Sequence, residues 1–80
     1  MVHAPEIIGK NLKLARVRKG WSQADLAHKL DVEQSYISRI ESASVAASCE
    51  RIYEIMHLLD CESIDIFPPA NIVQTKYKVG

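Results

Sequence analysis

Residues 23–42 constrain this chain more than any other stretch. Two segments with helical apolar periodicity, each only about two turns long, follow one another with Asp31-Val32-Glu33 between them. Leu26, Ala27 and Leu30 mark the buried stripe of the first. The second runs from about Gln34 to Ser42, with Ile37, Ile40 and Glu41 on its inner side. Two short helices joined in this way cross at a steep angle around a tight turn. Close crossing calls for a small residue on the first helix, and Ala27 supplies it. The turn calls for a residue that accepts a left-handed backbone, and Asp31 serves, less easily than glycine. Val32, Ile37 and Ile40 are the apolar anchors, which leaves Gln34, Ser35, Ser38 and Arg39 facing away from the core.

The flanking sequence is also helical. Pro5 stands where a first helical turn tolerates it, and Ile8, Leu12 and Ala15 fall at helical spacing with lysines on the other side. Gly20 is a C-cap, and Ser22 is an N-cap with Asp25 completing a near capping box. After a loop of small residues, Ser42–Ala47, Ser48 caps a helix carrying Ile52, Ile55, Met56 and Leu59. Ser63 is expected to cap one further short turn, Ile64–Phe67, which Pro68-Pro69 stops. The class is all-α, with residues 1–69 as one domain and 70–80 as a tail. In that tail Val73, Thr75, Tyr77 and Val79 alternate with polar residues, the period of a β-strand. A lone strand needs a partner. The tail is therefore either frayed or a short strand exchanged between subunits to tie a dimer.

Eighty residues give room for one domain, and 48% apolar with 25% charged residues is globular rather than disordered composition. No apolar run approaches the ~20 residues that cross a bilayer, and the first residues lack a signal-peptide pattern, so a soluble, cytoplasmic protein is expected. Cys49 and Cys61 have no metal spacing and read as small packing thiols. His3, His28 and His57 lack a carboxylate or cysteine at ligand spacing. With no nucleophile triad, phosphate loop or carboxylate pair, the chain is expected to be neither an enzyme nor a holder of a metal or cofactor. Trp21 reads as a packing residue.

The net charge is zero, but it is unevenly spread. Residues 1–30 hold six basic against two acidic side chains, and residues 31–67 hold two against eight, with Lys76 and Lys78 beyond. A neutral chain divided in this way can still present one positive face.

Ile8-Gly9-Lys10, Leu12, Arg16, Gly20, Ser22-Gln23, Leu26-Ala27, Ile37-Ser38-Arg39-Ile40-Glu41 and the Ser48 helix ending in Leu59 together resemble the helix-turn-helix family of lambda-type repressors, Cro proteins and xenobiotic-response-like regulators. The resemblance spans roughly Ile8 to Phe67. It implies a five-helix bundle whose third helix enters the major groove, and a buried ion pair between Arg16 and Glu41. Asp31 and Asp60 stand where relatives usually carry glycine.

On that reading, residue chemistry assigns the DNA contacts. Gln34 can pair bidentately with adenine, Ser35 and Ser38 can donate or accept, and Arg39 can read guanine or bind phosphate. Gln23, at the start of the second helix, can bind phosphate with the amides there, and Tyr36, Lys19 and Ser44 are further phosphate candidates. Glu33 repels phosphate unless it faces a base such as cytosine. The expected function is a dimeric repressor of an inverted-repeat operator in double-stranded DNA. Phage or plasmid repressor, restriction–modification controller and antitoxin remain unseparated. No ligand-binding domain is evident, so control would come from concentration, autoregulation or a protein partner, with the tail as a candidate arm. The alternative is an adaptor with the same fold that does not read DNA.

Overall fold

The structure, a computed structural model, describes residues 3–73. Five helices follow in order: α1 (Ala4–Lys19), α2 (Gln23–Leu30), α3 (Gln34–Glu41), α4 (Cys49–Leu59) and α5 (Ser63–Ile66), with a single 3-10 turn at Ala70–Ile72. The sequence expectation of an all-α five-helix bundle holds. Of the strand expected over 73–79, only Val73 lies within the described residues, and there it makes a single β-bridge rather than a continuous strand. None of the described helices is long and apolar enough to cross a membrane.

Local chemistry sets the boundaries. Gly20 ends α1 at φ 83°, and its N–H bonds back to the last turn. Ser22 accepts from the Asp25 N–H at 3.0 Å while Asp25 accepts from the Ser22 N–H at 2.8 Å, so α2 opens on a complete capping box. Asp31 at φ 58° and Asp60 at φ 54° take the left-handed conformation that ends α2 and α4. Ala43 does the same at φ 62°, an unfavourable state for a residue with a Cβ and no polar side chain to compensate, costing about 1–2 kcal/mol. Ser48 caps α4 through the Arg51 N–H.

One cap differs from expectation. Glu62, not Ser63, is the N-cap of α5; its carbonyl accepts from the Asp65 N–H at 3.0 Å, and the Asp65 carboxylate accepts in return from the Glu62 N–H at 3.0 Å. Ser63 is the first helical residue.

The core takes residues from every helix: Leu12 and Ala15, Leu26 and Ala27, Ile37 and Ile40, Ile52, Ile55, Met56 and Leu59, and Ile66. Each fully buried Leu or Ile contributes ~1.5–3 kcal/mol relative to exposure. α3 packs on both α1 and α2, while α4 and α5 close on α1. The α1–α3 approach depends on Gly9, because a Cβ there would stand 2.4 Å from the Ile40 carbonyl oxygen. Asn11 donates to the Ile66 carbonyl at 2.9 Å and ties α5 to α1. Trp21 is half-buried against the core. Cys61 is half-buried, but Cys49, at the start of α4, is exposed and does not pack as expected. Both are free thiols, and burial pushes the Cys61 thiol pKa up.

Candidate nucleic-acid interface

α3 is eight residues long with a sharply divided surface. Ile37 and Ile40 sink into the core, so helical geometry turns Gln34, Ser35, Ser38 and Arg39 outward, and all four are exposed. Ser35 and Arg39 stand one turn apart, and the Arg39 guanidinium donates to the Ser35 hydroxyl at 3.3 Å. The guanidinium is thus held along the helix edge rather than buried. Tyr36 lies at the margin, half-buried, with the Arg51 guanidinium 5.7 Å from its ring centre.

The floor beneath this edge is a polar network. Arg16, only 7% exposed, grips Glu41 through two bonds, Nε to Oε2 at 2.6 Å and Nη2 to Oε1 at 3.0 Å. Its remaining Nη1 donates to the Trp21 carbonyl at 2.8 Å. The bonds to Glu41 raise the guanidinium pKa above its already high value, against the opposing effect of burial. Gln23 also donates to Glu41 Oε1, at 3.0 Å. One carboxylate at the end of α3 therefore holds Arg16 of α1 and the first residue of α2 together. Gln23 keeps its second amide N–H and its carbonyl oxygen.

The other candidates divide. Ser44 is exposed just beyond α3; its hydroxyl pairs with Ser42 at 2.8 Å, and its N–H bonds the Arg39 carbonyl at 2.9 Å. It sits close to the end of the recognition edge. Lys19 does not join that edge: its ammonium pairs with Asp60 at the end of α4 and lies 5.5 Å from the Trp21 ring centre. Lys29, which sequence reasoning did not single out, stands over the same ring at 4.7 Å. Arg51 was missed as well; its position in the first turn of a helix distant in sequence gave no sign that it meets Tyr36. His3, His28 and His57 are all exposed, and the described residues contain no cluster suited to a metal ion.

Residues 12–67 match the helix-turn-helix family. The chain belongs to that family. Its helix-turn-helix is α2–Asp31–α3, with α3 in the place of the recognition helix. Two curated relatives are described as "Antitoxin HipB". The one from Escherichia coli O6:H1 is 27% identical over 74 residues, covering 86% of this chain and 79% of the relative. The one from Escherichia coli K12 is 27% identical over 59 residues, covering 74% and 67%. A third, "Neisseria hypothetical transcription factor" from Neisseria meningitidis serogroup B, is 40% identical over 35 residues, covering 44% of this chain and 33% of that protein. No solved structure matches. This helix-turn-helix protein is thus a DNA-binding regulator of the Cro/C1, xenobiotic-response type, related to antitoxin regulators and not an enzyme.

Proposed function

We propose that this regulator represses transcription by binding an inverted-repeat operator as a two-fold dimer, with α3 of each copy in one major groove. One observation carries the reading: the edge of α3 that the core does not use is polar along its length and exposed. Gln34, Ser35, Ser38 and Arg39 then meet base edges, and Gln23, Tyr36, Lys19 and Ser44 meet phosphates. Lys19 can leave Asp60 for a phosphate at little cost, since solvent screens an exposed ion pair. Half-sites lie about one helical turn apart, and dimerisation makes the second contact intramolecular.

Residues 1–69 form the DNA-binding domain, and 70–80 act as an arm that ties the dimer or engages a protein partner. The relatives named as antitoxins support the protein-partner branch.

Selection of bound duplexes from a random pool tests the proposal. A palindromic sequence is expected to be enriched. Gln34→Ala and Arg39→Ala should each lose preference at one half-site position, costing ~1–3 kcal/mol. Enrichment of no sequence defeats the reading and favours an adaptor. Deleting residues 70–80 should convert a dimer to a monomer in solution; an unchanged dimer removes the strand-exchange role.

A further inference from the structure

We propose that Glu33 is a specificity-determining residue that accepts a hydrogen bond from the N4 amino group of a cytosine in the major groove. The inference rests on the DNA-reading function above.

Glu33 is the N-cap of α3, with extended backbone at φ −71° and ψ 145°. The caps of α2 and α4 spend their side chains inside the fold, each on a backbone N–H of the first turn. Glu33 does not. The Tyr36 N–H that its carboxylate would take bonds instead to the Glu33 carbonyl, at 3.1 Å. The ion pairs of the described residues are Arg16–Glu41, Lys19–Asp60 and Arg51–Glu54, and Glu33 joins none of them. It is exposed, one residue before Gln34 and two before Ser35. The fold therefore leaves an acceptor-only group free at the leading end of the helix that meets DNA.

That group is incompatible with most of what a DNA groove presents. Phosphate oxygens repel it. The guanine O6 and N7 and thymine O4 are acceptors and leave it desolvated without a partner. Only exocyclic amines satisfy it, and cytosine N4 is the usual partner of a carboxylate. Adenine offers its amine beside the N7 acceptor, an arrangement that suits the donor–acceptor pair of an amide such as Gln34 better than a carboxylate. Glu33 thus works largely by penalty: it weakens attachment to arbitrary duplexes and to wrong bases, and cytosine relieves it.

The test compares the full chain with Glu33→Gln and Glu33→Ala. The probes are the duplex enriched by the wild type, all single-base variants of its half-site, and a random-sequence duplex. Wild type should prefer cytosine at one position by about tenfold. Glu33→Ala should reduce that preference to below about threefold and bind the random duplex about threefold more tightly, as a repelled charge is removed. Glu33→Gln should accept adenine there as well as cytosine. If Glu33→Ala keeps every base preference of the wild type, the assignment is overturned while the DNA reading stands. If the wild type enriches no duplex, the DNA reading fails and takes this inference with it. Circular dichroism of each variant establishes that altered preference comes from a folded protein.

Discussion

Gly9→Ala probes how closely the recognition helix is seated. A Cβ at Gly9 would lie 2.4 Å from the Ile40 carbonyl oxygen and 3.0 Å from that of Glu41. Both are backbone atoms of α3, so no rotamer change can make room. α1 and α3 must part by about 1 Å before the contact becomes ordinary, and the seating of Leu12, Ile37 and Ile40 loosens with it. Overpacking of this kind costs ~1–3 kcal/mol, and a clash with backbone belongs at the upper end. Alanine's better helix propensity returns about 1 kcal/mol. The net loss is about 2 kcal/mol, or roughly 10 °C in Tm for a domain of this size. Gly20→Ala is the control. Gly20 has nothing within 4 Å but sits at φ 83°, so its substitution acts through backbone conformation alone, at about 1 kcal/mol. Urea unfolding followed by helical circular dichroism gives both values. Folded Gly9→Ala should also bind duplex DNA more weakly, because its clash displaces α3, whereas Gly20→Ala should not. A Gly9→Ala variant as stable as wild type would refute the argument.

Two further predictions concern electrostatics. Arg16→Met leaves Glu41 buried without its bidentate partner and should cost about 3–5 kcal/mol, whereas the double change Arg16→Met with Glu41→Leu should recover much of that; equilibrium denaturation of the three proteins decides. Hydrogen bonds from the Ser22 backbone and hydroxyl hold the Asp25 carboxyl below its usual pKa, and Lys19 does the same for Asp60. A carboxylate depressed on folding stabilises fully above its unfolded pKa, near ~3.9, and loses that contribution as pH falls toward the lower folded value. Stability should therefore decline below about pH 4, and Asp25→Asn should flatten part of the decline in a pH series of Tm.

Local signals were legible from spacing, and the one tertiary contact expected, Arg16 with Glu41, came only through the family resemblance. Gly20, Ser22 with Asp25, Asp31 and Ser48 mark helix ends through bonds that reach at most a few residues, so sequence spacing exposes them. Glu62 escaped because the adjacent Ser63 is the commoner cap, yet the bond that closes this end comes from Asp65, whose carboxylate accepts from the Glu62 N–H. Gly9 matched a family pattern without a visible reason; the reason lies 31 residues away, in the Ile40 carbonyl. The same holds for Lys19 with Asp60, 41 residues apart, which takes a phosphate candidate off the α3 edge. The outward face of α3 was readable because a short amphipathic helix has only one other side once Ile37 and Ile40 are buried. The link from Gln23 to Glu41 was not, since it depends on how two helices cross.

Amide chemical shifts of the full chain, followed as a selected duplex is added, give the most direct reading of where DNA docks. The largest changes should fall on Glu33–Arg39 and on Gln23 and Ala24 at the start of α2. Changes that spare α3 and gather instead around exposed Leu14, Val17 and Ile64 would contradict the account.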